Sequence, residues 1–229
     1  MKWPAFLCMF VLLTGCADPG PNRLLPGECN PACDQLTPQG HWQFVHRITF
    51  SGQGMAGDCI GVTEVDGNTL HCALLTIEGM TLFAASEEAG QIRIQRALPP
   101  FDRPALAREL LHAVRTLFIH PAFNATSMQC GQNRKGNPIC RYQDAHNWTV
   151  DLAPQKDGCF AIRAYDSAGQ LQLSITAREC LTGSKQNYRL PKRLTLSAPR
   201  YVLDMTLVDS NHHPGEPGQQ GDFLRRWRE

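Results

Sequence analysis

Cysteine has the most chemistry to offer in this 229-residue chain. There are ten, and eight of them (Cys29, Cys33, Cys59, Cys72, Cys130, Cys140, Cys159 and Cys180) lie beyond the first 20 residues. Thiols can bridge, bind metal or act as nucleophiles. A zinc centre calls for CxxC pairs or histidines at ligand spacing, and the sequence presents neither, so it predicts no metal and no cofactor. An even number of cysteines in an exported chain reads instead as up to four disulfides. In CGQNRKGNPIC a three-residue loop, Arg134-Lys135-Gly136 with Gly136 in the left-handed conformation, sets Cys130 opposite Cys140 and predicts a bridge between them. Cys59 and Cys72 flank an Asp66-Gly67 turn, but a two-residue loop would place Cys72 diagonal to Cys59, and a bridge there needs a bulge or a longer loop. Cys29 with Cys33, and Cys159 with Cys180, pair by proximity in sequence alone.

Export is written into the N-terminus. Lys2 precedes WPAFLCMFVLL, an apolar run of signal-peptide build that falls short of the roughly 20 residues needed to span a bilayer. Leu13-Thr14-Gly15-Cys16 resembles the bacterial lipobox, in which the cysteine thiol is diacylated and cleavage leaves it as the new N-terminus. Residues 1–15 are then the signal peptide, Cys16 is the lipidation site, and residues 16–40, rich in proline and glycine, tether the rest to a membrane. The resemblance implies a Gram-negative envelope. Ala17 in place of Asp after the cysteine points to the periplasmic face of the outer membrane.

Other chemistry is sparse. GxSxG, HExxH, phosphate-loop and paired-carboxylate motifs are missing. His46 falls on an apolar strand face, where a satisfied or rim histidine is the simpler reading, while His41, His71, His112, His120 and His146 are scattered and His212-His213 sit near the C-terminus. No catalytic residue is predicted, and the chain does not read as an enzyme. Without the signal, 21 basic side chains balance 21 acidic ones. No net field draws the protein to nucleic acid.

What must position these residues is mostly β-structure. In HWQFVHRITFS, Trp42, Phe44, Ile48 and Phe50 share one face and Gln43, Arg47 and Thr49 the other. Further strands are predicted at about 57–64, 69–77, 80–86 and 91–97, and after a helix at 138–143, 147–153, 159–165, 170–178, 187–196 and 200–208. The helix is capped by Asp102, opens at Pro104, carries Leu106, Leu110, Val114 and Leu117 as one stripe, and stops at His120-Pro121. The fold class is mainly β with α: about eleven strands in a strongly curved antiparallel sheet, an incomplete barrel with a helical lid. Residues 41–208 form this domain and 209–229 a flexible tail.

The lipobox, the meander with DCIGVTEVDGNTLHCALLTIEGMTLFAAS, the helix after a proline-rich link and the closing RLPKRLTLSAPRYVLDMTLV together resemble the LolB-like outer-membrane lipoproteins of the LolA/LolB superfamily. More narrowly they resemble a family of uncharacterised bacterial lipoproteins that shares the plan and often accompanies lipid or polyene biosynthesis genes. The resemblance implies a half-barrel whose apolar hollow binds a lipid-like ligand and delivers it to the outer membrane, with another envelope transport protein as a candidate partner. Trp42, Phe44, Ile48 and Phe50 on the sheet, with Leu106, Leu110, Val114 and Leu117 on the helix, are then the candidate lining. The same stripe would also serve a dry core, in which case the protein is a non-enzymatic scaffold that docks a partner. In LolB-like proteins an exposed leucine on an early turn helps deliver cargo. Here that turn is Thr76-Ile77-Glu78-Gly79-Met80, a glutamate stands in the leucine's place, and Ile77 and Met80 are the candidate membrane contacts. The terminal FLRRWRE offers aromatic and basic residues to anionic headgroups, or else a solvated tail.

Overall fold

The computed structural model describes residues 20–21, 23–29, 33, 38–52, 54–119, 128–182 and 189–213. The lipobox with Cys16, His120-Pro121 and FLRRWRE lie outside the described residues. A two-residue strand, Leu25–Pro26 (β1), is followed by His41–Gly52 (β2), Met55–Asp66 (β3), Thr69–Leu75 (β4), Thr81–Glu88 (β5) and Gln91–Ala97 (β6). Helix Pro104–Phe118 (α1) leads to Gln129–Gln132 (β7), Pro138–Gln143 (β8), Thr149–Pro154 (β9), Phe160–Tyr165 (β10), Leu171–Thr182 (β11), Arg189–Ala198 (β12) and Tyr201–His213 (β13). Among the described residues the strand count is thirteen rather than about eleven. The two additions, β1 and β7, are too short to show a period. The last strand also runs five residues past its predicted end, into the segment expected to be a tail.

All thirteen strands form one antiparallel sheet in the order β1-β7-β8-β9-β10-β11-β12-β13-β2-β3-β4-β5-β6, and it does not close. Two sequential meanders, β2–β6 and β7–β13, are joined by the long pairing of β13 with β2. This order dictates where the helix must go. The chain leaves the sheet at the edge strand β6 and re-enters beside the opposite edge at β7, so α1 crosses one face of the sheet to connect them. That face is the apolar one: Phe44, Phe83, Phe160, Ile162, Ile175, Leu194 and Leu196 are buried together with Leu111 and Leu117 of the helix. Bulges at Leu74/Leu75, Ala84/Ala85 and Leu207/Asp209 add local bend and twist.

The helix opens at Pro104, as expected, but with a different cap. Arg103, not Asp102, occupies the N-cap in an extended conformation, with no side-chain capping bond, and Pro104 begins the first turn. Proline's fixed φ and missing N–H substitute for a cap.

The disulfides correct the sequence reading in three places. Cys130 and Cys140 are directly opposite in register, and Gly136 takes a φ of +75° in the loop closed by Asn133 and Asn137, as the hairpin argument required. Yet the two do not bridge each other. Pairing of β1 with β7 lays the N-terminal segment along this hairpin, so Cys29 bonds Cys130 and Cys33 bonds Cys140. The predicted Cys29–Cys33 pair is therefore also replaced. Closing a loop of 101 residues contributes about 4–5 kcal/mol through the unfolded chain, and the second bridge, almost parallel to the first, adds much less. Cys59 and Cys72 are free. Pairing of Asp66 with Thr69 puts Thr63 opposite Cys72, four residues along β3 from Cys59, beyond the reach of a bridge. Cys159–Cys180 forms as sequence proximity suggested.

Candidate functional site

Between α1 and the apolar face of the sheet lies a cavity of about 1010 Å³, counting the part of its mouth that is open to solvent. It is a narrow, apolar slot. Ile48 and Phe50 of β2 line it together with Leu106, Leu110, Val114 and Leu117 of α1. Trp42 and Phe44, predicted on the same stripe, do not. They stack on each other at 5.4 Å, Phe44 stacks on Phe118 at 4.8 Å, and this aromatic pile packs behind His46 at the inner end, a floor beneath the lining rather than part of it. The mouth is ringed by Gly52, Met55, Pro100 and Arg200. From Gly52 to His46 the strand advances about 20 Å, which sets the depth of the slot.

Sequence reading missed several walls. Tyr201, Leu203 and Met205 of β13 and Leu196 of β12 complete the lining, and the alternation in RYVLDMTLV was the signal that could have placed them. Gly61, opposite His46 on β3, gives Ile48 its space, because a Cβ there would overlap the Ile48 Cδ1.

His46 also differs from its sequence reading as a satisfied or rim residue. It is 2% exposed, lines the inner end of the slot, and its Nδ1 has no hydrogen-bond partner. Burial pushes the imidazole down to about 4, so the ring is neutral at neutral pH. Cys59 and Cys72 line the same cavity. Burial pushes their thiols up to about 11 and about 12, with Asp58 adding to the first shift and Glu87 to the second. These are inert, protonated thiols, the opposite of an activated nucleophile.

Polar contacts hold the helix over the slot. Arg115 Nη1 donates to Glu87 Oε1 of β5 at 2.8 Å. His112 Nε2 lies 2.7 Å from Asp144 Oδ2 in the turn between β8 and β9, and because a carboxylate only accepts, that nitrogen carries the proton. Asp144 Oδ1 in turn accepts the backbone N–H groups of His146 and Trp148. At the mouth an exposed pair, Arg200 with Glu109 at 3.6 Å, adds little. Burial acts to raise the Asp144 carboxyl, but the hydrogen bonds from His112, Trp148 and His146 outweigh it and hold it below its ordinary value. A depressed folded-state pKa contributes stability above the unfolded value, near 4, that is lost as pH falls through the folded value. Acid titration should therefore remove a component of wild-type stability below about pH 4 that Asp144→Asn lacks. Coincident acid-unfolding curves for the two proteins would contradict the latch.

The rim carries exposed apolar side chains. Register puts the β2–β3 and β4–β5 turns at the mouth end of the sheet. Ile77 and Met80 there are 57% and 51% exposed on either side of Glu78 and Gly79, whose φ is +92°, and Met55 is exposed beside them. Among the described residues, no helix is long and apolar enough to cross a membrane.

No protein-family model and no curated protein matches the sequence. Solved structures do resemble the fold. A LolA superfamily protein from Nitrosomonas europaea superposes with a TM-score of 0.52 at 11% identity, covering 81% of this chain and 92% of that one. A putative outer membrane lipoprotein-sorting protein domain from Vibrio parahaemolyticus superposes with a TM-score of 0.51 at 8% identity, covering 86% and 94%. At these identities the likeness is one of fold: this chain has a LolA-like fold.

Proposed function

We propose that this protein is a lipid carrier of the Gram-negative cell envelope, anchored to the periplasmic face of the outer membrane through acyl chains on Cys16. It holds an acyl or polyene chain beneath α1 and helps deliver it to that membrane, with no bond-making step. The observation that carries this reading is the slot itself: narrow, about as deep as six strand residues are long, and walled by aliphatic and aromatic side chains. A chain of about 15 methylenes loses roughly 12 kcal/mol of favourable burial on leaving a bilayer for water. A carrier must replace most of that while still releasing its cargo, and a slot roofed by one helix on a few polar contacts suits both needs. The exposed Met55, Ile77 and Met80 place apolar groups at the rim where cargo would pass to a membrane. The open edge strand β6, with Ile92 and Ile94 exposed, supports a second reading as a scaffold that docks a partner.

Native mass spectrometry with lipid extraction separates the two. The chain is produced in a Gram-negative host with Cys16→Ser, so that no anchor contributes mass. A reproducible adduct is expected on the otherwise unaltered protein and none on Val114→Glu, because a carboxylate in the wall would have to be desolvated by any chain beside it. If the unaltered protein carries no lipid and takes up no fatty-acid probe, the carrier reading gives way to the scaffold.

A further inference from the structure

We propose that the inner end of the slot is a hydroxyl-recognition site: the ligand is a linear apolar chain whose leading terminus is a neutral alcohol, received by His46. This rests on the carrier reading and narrows the chemistry of its cargo. The polar lining residues are sorted by depth. Arg200 stands at the mouth, whereas His46 and Thr63 lie at the inner end, Thr63 in register with Phe44 of the floor. His46 lines the slot, and its ring sits 6.3 Å from Phe44 and 6.2 Å from Phe118, at the end that the tip of an inserted chain would meet. A site built only to hold methyl-terminated chains has no use for a buried imidazole, and an unpaired polar atom at such a place is costly.

The chemistry of the ring selects the terminus. A neutral imidazole offers one N–H and one lone pair, and a hydroxyl can answer either. A carboxylate or phosphate would bring a full charge to an apolar floor with no cation beside it among the described residues that line the inner end. A bare methyl leaves the nitrogen unpaired. The alcohol satisfies the ring at the least cost.

Competition on the purified full chain tests this, with 1-aminoanthracene as the fluorescent occupant and 1-dodecanol, dodecane and dodecanoate as competitors at neutral pH. The dodecanol-to-dodecane affinity ratio is compared between wild type and His46→Leu, so that the different hydration of the two competitors cancels. The ratio should fall about three- to tenfold in the variant, with dodecane binding retained and dodecanoate the weaker partner of dodecanol in wild type. Retained dodecane binding also shows that the variant is folded. If both proteins bind dodecanol and dodecane in the same ratio, the hydroxyl site is wrong while the carrier reading stands. If 1-aminoanthracene and every competitor fail to bind wild type, the carrier reading fails and takes this inference with it.

Discussion

Phe44→Ala will lower the stability of the protein by about 3–5 kcal/mol and lengthen the chains it accepts. Phe44 is fully buried, and its ring is stacked between Trp42 and Phe118, so it ties the centre of the sheet to the last turn of the lid. Truncation removes the transfer energy of a large aromatic group and leaves a hole that the surrounding strands cannot close, since β2 is held on both sides by β13 and β3. The two stackings add about 0.5–1.5 kcal/mol each. The hole opens beneath His46, so the slot gains depth. Denaturant unfolding should show a lower midpoint at unchanged slope, and extraction should show a shift to longer bound chains. A loss below about 1 kcal/mol would mean that the floor is not the packed plug described here.

Asp151→Ala will cost about 3–5 kcal/mol, whereas Arg141→Met with Asp151→Leu will cost little or nothing. Arg141 of β8 faces Asp151 of β9 directly across the ladder, and its Nε and Nη2 donate to the two carboxylate oxygens at 2.5 and 2.7 Å. Both side chains are largely buried. Removing the acid alone takes the paired carboxylate away from a guanidinium that is largely out of water, and that cost dominates. Replacing both with apolar groups of similar volume avoids two desolvations at once. Equal losses in the single and double variants would show that the pair, rather than the stranded charge, carries the energy.

How much of this was legible in the sequence depended on distance along the chain. The alternation from His41 to Gly52 is a local pattern, and it identified both the strand and its inward face. The helix stripe did the same for Leu106, Leu110, Val114 and Leu117. Depth along a strand is a different matter, because Trp42 and Phe44 in the floor and Ile48 and Phe50 in the wall have the same residue types and the same phase. What separates them is that Phe118 stacks on Phe44 and His212 packs on Trp42, while Ile48 and Phe50 face the slot. The predicted Cys29–Cys33 and Cys130–Cys140 bridges failed for a similar reason. Cys29 and Cys33 lie in a proline-rich segment without a period, and their partners stand 101 and 107 residues away. Turn chemistry could predict that Cys130 faces Cys140, but not that another segment would lie across both. His46 was placed on the correct face, yet its missing partner follows only from the side chains that surround it.

Topology and cavity are linked in one step. A chain that must travel from edge strand β6 to the far side of the same sheet lays its connecting helix over the apolar face. Whether the gap beneath it is a ligand site is the central claim. Photo-crosslinking tests it most directly: a diazirine-bearing fatty alcohol is bound to the purified protein, irradiated, and the adducts are located by peptide mapping. The account predicts adducts on the segments carrying Ile48, Leu110, Val114, Leu117 and Met205, lost on competition with 1-dodecanol. Adducts confined to the outer strand at Ile92 and Ile94, or spread over the surface without competition, would contradict it.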